Sequence, residues 1–82
     1  MDETIDQLIR RKEKEKNIDV FERAFDAMGN LHILCRNETG TYTVYTAYRT
    51  KKATYEKLYL GKTFLSLTKA IDEYTKRVKY LG

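Results

Sequence analysis

Eighty-two residues with 16 Lys or Arg against 12 Asp or Glu give a net charge of +4, alongside 41% hydrophobic residues, seven Tyr, one Cys, no Trp and no Pro. A chain of this length hides only about 60% of its unfolded surface, which supports one domain and one modest core and leaves no room for an elaborate active site. The apolar content excludes disorder, no run approaches the ~18 apolar residues of a membrane span or forms a secretory leader near Met1, and Cys35 has no second Cys to pair with, so the expected setting is soluble and intracellular, in the reducing cytoplasm.

In chain order, Asp2 to Lys16 reads as a short helix with Ile5, Leu8 and Ile9 on one side. The run Arg10-Arg11-Lys12-Glu13-Lys14-Glu15-Lys16 alternates Lys with Glu, which suits a solvated helix face better than a nucleic-acid patch. After Asn17 a second helix is expected. Asp19 and Glu22 have capping-box spacing, Phe21, Ala24, Phe25 and Met28 form a stripe, and Gly29 is placed to end it. Two strands follow, Leu31 to Arg36 and Thr41 to Thr50, joined by a turn at Asn37-Glu38-Thr39-Gly40 in which Gly40 can take a positive φ. A turn at Lys51 to Thr54 leads to a third strand, Tyr55 to Leu60, and Gly61 gives a further turn.

The C-terminal segment organises the rest. Phe64, Leu67, Ile71, Tyr74, Val78 and Leu81 recur at three- and four-residue steps, Ser66 is a cap for the first turn, and Leu65 and Ala70 are spaced as a hydrophobic staple. Asp72 with Lys76 and Glu73 with Arg77 sit four apart, acid first, on the expected wet face. The predicted fold is therefore α+β, a single domain over 1–82, in which a helical extension of two helices (1–30) precedes a core (31–82). That core is a three-stranded antiparallel meander with an amphipathic helix packed on one face.

Strand alternation assigns the faces. Leu31, Ile33, Cys35, Tyr42, Val44, Thr46, Tyr48, Leu58 and Leu60 are expected to look toward the helix. The uncovered face then carries His32, Leu34, Arg36, Thr41, Thr43, Tyr45, Ala47, Arg49, Tyr55, Lys57 and Tyr59, with Lys51 and Lys52 at the turn beside it. Residues 31–82 hold ten cations and four acids, a balance of plus six, against six cations and eight acids in 1–30, so the positive potential belongs to the sheet and its helix. Arg and Lys displace condensed counterions from a phosphate backbone, Arg pairs with guanine, and a narrow sheet fits a major groove. Lys and Tyr also simply populate the wet face of an antiparallel sheet.

The run Tyr59-Leu60-Gly61, then Phe64, Ser66, Ala70 and Tyr74, resembles the strand-to-helix segment of plant ethylene-response-factor type DNA-binding domains and of related domains in mobile-element homing endonucleases. The arm-binding domains of phage-type tyrosine integrases share the same order of three strands and a helix. The resemblance covers about the last fifty residues and implies that the sheet enters the major groove of duplex DNA through the outward residues.

Nucleophilic or metal chemistry needs clustered His, Cys or carboxylates, and this chain has one His and one Cys, three apart on a strand and so facing opposite sides. No catalytic residue, metal or cofactor is expected. The expected function is a DNA-binding regulator or accessory protein, of phage or mobile-element type as the resemblance implies. Arg36, Arg49 and Lys57 would meet phosphates or guanine edges, Tyr45 and Tyr59 would pack on sugar or base, and Lys51 and Lys52 would hold the backbone. The rival is a small inhibitor or adaptor that sets the same Tyr-rich face against an acidic host protein. Homodimerisation through Ile5, Leu8 and Ile9, or through a sheet edge, is a third reading.

Overall fold

The computed structural model describes residues 4–52, 54–55 and 57–80. Its elements are α1 (Ile5–Lys16), β1 (Ile18–Phe25), β2 (Leu31–Asn37), β3 (Tyr42–Ala47), β4 (Tyr59–Phe64) and α2 (Leu67–Tyr80). The fold is α+β, with one antiparallel sheet in the order β1-β2-β3-β4, and so has one strand more and one N-terminal helix fewer than expected. The expected helix start at Asp2 and the Leu81 end of the apolar stripe lie outside the described residues.

α1 begins at Thr4, whose hydroxyl accepts from the Gln7 N–H while the Gln7 side chain accepts from the Thr4 N–H. It ends at Asn17 in a left-handed conformation, and the chain passes directly into β1. The segment expected as a second helix is therefore a strand, which places residues 18–25 in the sheet. The reason is a β-bulge: Val20 pairs with Cys35 and Glu22 with Leu34, so Phe21 is an extra residue on β1. The bulge breaks the two-residue alternation and leaves Phe21, Ala24, Phe25 and Met28 at helix-like intervals. Gly29 does adopt a positive φ, in the β1–β2 turn rather than at a helix end. Gly40 does so in the β2–β3 turn, as expected.

Both faces of the sheet are covered. Leu31, Ile33 and Ala47 pack with Leu8 of α1, joined by Ile5, Val20, Tyr45, Tyr55 and Leu58. Leu34 and Val44 pack with Ala70 of α2, joined by Tyr42, Phe64 and Tyr74. Five consecutive β2 residues, Leu31 to Cys35, are consequently buried. The expected alternation along β2 holds, but its assignment is reversed: Leu31 and Ile33 face α1, and Leu34 faces α2. On β3, Val44 and Tyr42 face α2 as expected.

The last strand is shifted toward the C-terminus. Val44 pairs with Lys62 but Thr46 with Tyr59, so β4 also carries an extra residue, and Leu60 takes the left-handed conformation there, at φ 53°. Gly61 lies inside β4 instead of at a turn. A Cβ at Gly61 would come within 2.7 Å of the Tyr45 ring, so the missing side chain is what lets the ring lie across the strand. Gly61→Ala is expected to cost about 1–3 kcal/mol in urea unfolding through overpacking, and a Tyr45→Ala background should erase most of that cost.

α2 starts as expected at Leu67, with Ser66 beneath it: the Ser66 hydroxyl accepts from the Lys69 N–H at 3.5 Å and its carbonyl from the Ala70 N–H. The staple does not form, since Leu65 is 89% exposed. The helix is rolled relative to its apolar stripe. Ala70 and Arg77 are buried, whereas Leu67 and Ile71 keep about two-fifths of their surface in water.

Candidate nucleic-acid interface

Of the seven residues expected on or beside one open sheet face, Tyr45 and Arg36 are set apart from the rest. Tyr45 is on the α1 side, half-buried over Gly61, with the Lys16 ammonium 5.3 Å from its ring centre. Burial, and secondarily the neighbouring Cys35, push its hydroxyl pKa up. Arg36 is exposed but pairs with Tyr42, on the α2 side and at the β2–β3 end. At ~3.3 Å per residue, that is some 15 Å from the β3–β4 end. Tyr55, also expected outside, donates its hydroxyl to the Gly29 carbonyl and packs its ring near Phe25. The three-stranded face with one bare side is thus absent, because α1, Tyr55 and Leu58 occupy it.

Arg49, Lys51, Lys52, Lys57 and Tyr59 all lie on or beside the β3–β4 connection. The four cations are exposed, and within residues 48–58 the sequence sets a single carboxylate, Glu56, against them. The connection is internally tied. The Thr50 N–H donates to the Thr54 carbonyl at 2.9 Å, the two Thr hydroxyls are 2.7 Å apart, and the Thr50 hydroxyl also accepts from the Lys52 and Thr54 N–H groups. This clasp holds Lys51 and Lys52 at its tip.

The loop is also fastened to the β1–β2 turn. The Arg49 N–H donates to the Asn30 side-chain carbonyl, Tyr55 reaches Gly29, and the Arg49 aliphatic chain runs so close to Gly29 that a Cβ there would meet it at 3.0 Å. At the root of the loop the Tyr48 and Tyr59 rings lie 5.6 Å apart, each about half exposed. Tyr48 was assigned inward by alternation, but it lies beyond the end of β3, where the pleat no longer directs it. The Thr50–Thr54 spacing around two lysines was the available sequence signal for the clasp.

Behind this surface runs a buried polar chain. Asp26 accepts from the Met28 and Asn30 N–H groups, the Asn30 side chain and His32 Nε2, the last at 2.8 Å. His32 Nδ1 lies 2.9 Å from the Thr46 hydroxyl, which accepts from Arg77. With Nε2–H donating to Asp26, the Thr46 O–H donates to Nδ1, and every group is satisfied. His32, expected at the surface, is fully buried.

Asp, His and a hydroxyl in this order have the outline of a nucleophilic triad. Thr46 is 1% exposed and its oxygen is engaged by the Arg77 guanidinium, so no substrate atom can reach it here. Burial likewise pushes the Cys35 thiol pKa up to about 11, and its S–H donates to the Thr43 carbonyl. Among the described residues no group of three or more His, Cys, Asp or Glu could hold a metal ion, and no helix is long and apolar enough to cross a membrane. No family model, curated protein or solved structure matches this chain.

Proposed function

We propose that the protein is a non-enzymatic DNA-binding accessory or regulatory protein, and that it grips duplex DNA with the β3–β4 connection and not with a flat sheet face. The observation that carries this reading is the fixed loop that presents Arg49, Lys51, Lys52 and Lys57 to solvent beside the exposed Tyr48–Tyr59 pair. A loop backbone tied by the Thr50–Thr54 clasp and the Asn30 and Gly29 anchors loses less freedom on meeting phosphates than an untied loop does. A loop at the end of the sheet can also meet a groove that a covered sheet face cannot enter. The order β2-β3-β4-α2 keeps the three strands and helix of the domains that the C-terminal segment resembles.

Four phosphate contacts predict that log K falls with log salt at a slope of about −3.6 on a mixed-sequence duplex. Lys51→Ala with Lys52→Ala should weaken binding and flatten that slope by roughly 2. Arg36→Ala should leave both unchanged, because Arg36 stands at the other end of the sheet. No binding at low salt, or an effect of Arg36 equal to that of the lysines, would refute the loop as the contact. The exposed tyrosines and Leu60 at the same end also suit a protein partner of acidic surface. Under that reading the loop lysines matter in a pull-down that added DNA does not compete.

A further inference from the structure

The two edges of the sheet are treated differently. At β1 the Val20 N–H donates to the Glu13 carboxylate at 2.9 Å, α1 packs alongside, and the Phe21 bulge disrupts the strand, all of which discourage another strand from pairing there. β4 is guarded only at its start, by the Leu60 bulge. Apart from the Leu60 carbonyl, which accepts from Arg77, no side chain or loop bonds to a β4 backbone group among the described residues. Below the Leu60 bulge the strand runs regularly through Gly61-Lys62-Thr63 to its end at Phe64, and the next residue, Leu65, is the most exposed large apolar residue described.

We propose that β4 is a dimerisation edge, at which a second copy pairs its own β4 antiparallel about a two-fold axis at Thr63. Opposed residues on paired strands share a sheet face, which limits the axis positions. An axis at Lys62 would set two ammonium groups against each other, and one at Gly61 would draw the Leu60 bulge into the pairing. An axis at Thr63 places Lys62 opposite the second copy's Phe64, the kind of ring over which Lys62 already lies within its own chain at 5.7 Å. It also brings Leu65 opposite the second copy's Gly61, against the Tyr45 ring that lies across it.

Charge supports a like partner. The flank of α2 beside this edge interleaves Lys69, Asp72, Glu73 and Lys76 in a shallow groove with Phe64, and Lys62 is loosely held 3.9 Å from Glu73. Both signs in alternation make a self-complementary surface on an otherwise basic molecule. The cationic β3–β4 connections lie at the far ends of the paired strands and do not oppose each other.

Light scattering across micromolar to millimolar concentrations is expected to give a mass rising to twice the 9.7 kDa of the chain. Under mild oxidation Thr63→Cys should cross-link copies, while Lys62→Cys should do so poorly, Cys35 staying buried and unreactive. Leu65→Glu, at a position that packs on nothing in the monomer, should weaken the dimer about tenfold or more with unfolding unchanged. A monomer mass throughout overturns the proposal. So does a dimer that Leu65→Glu leaves intact and Thr63→Cys does not cross-link.

Discussion

Arg77→Met is expected to destabilise the fold by about 3–5 kcal/mol, the range for removing one partner from a buried charged network. For a chain of this size, total stability is on the order of 4–12 kcal/mol, so the loss consumes much of it. Arg77 is 5% exposed and binds in several directions at once. Its Nε donates to Glu73 at 2.8 Å, one terminal nitrogen donates to the Val44 carbonyl and the Thr46 hydroxyl, and the other donates to the Leu60 carbonyl. These bonds tie α2 to β3 and to the β4 bulge. Methionine fills similar volume, but it leaves two carbonyls and a hydroxyl without that donor.

Arg77→Lys should recover little, because an ammonium cannot reproduce the planar fork. Urea unfolding of Arg77→Met, Glu73→Gln and the double variant checks the network, and a positive coupling between the two sites is expected. A loss below about 1 kcal/mol for Arg77→Met would show that the guanidinium is not the tie described. Since Leu60 holds a positive φ at the strand end, loss of Arg77 should also raise amide exchange first at Tyr59 to Gly61.

The roll of α2 explains why Arg77 was assigned to the wet face from the sequence. Glu73 and Arg77 at i,i+4 have the spacing of a solvated pair, and nothing local reports that the carbonyls they need belong to strands 17 and 33 residues away. The extent of the helix, its Ser66 start and the β2–β3 hairpin were legible because each rests on neighbours in sequence. β1 was not, since a single bulged residue converts a strand's alternation into helical spacing. The burial of both faces was partly visible: Leu31-His32-Ile33-Leu34-Cys35 does not alternate cleanly, which is how a strand covered on both sides reads.

The site shows the same division. Arg49, Lys51, Lys52, Lys57 and Tyr59 were recognisable as a basic, aromatic stretch because they are nearly contiguous. Arg36 and Tyr45 were grouped with them only through a face assignment, and tertiary packing overrode it: α1 covers the side bearing Tyr45, and Arg36 lies opposite. The platform under the loop was invisible. Asn30 and Gly29 stand 19 and 26 residues before the groups they anchor.

Asp26 gives the second large effect, and it is readable with pH. Its side chain is fully buried. Burial alone would push its pKa up, but the hydrogen bonds from His32, Asn30 and Met28 outweigh it and hold the carboxyl below its ordinary value. A carboxylate whose folded pKa is depressed contributes stability that is fully present above the unfolded pKa, near 3.9, and is lost as pH falls through the folded value. At neutral pH, Asp26→Ala should cost about 2–4 kcal/mol, because it strands the buried His32 donor and removes the shared acceptor of the β1–β2 turn. The gap between parent and variant should stay constant down to about pH 5 and narrow on further acidification. A gap that widened in acid would mean that Asp26 is protonated in the folded protein. Because Asn30 bridges Asp26 and Arg49, the variant should also loosen the cationic loop, seen as faster exchange of the Arg49 amide at pH values where the fold persists.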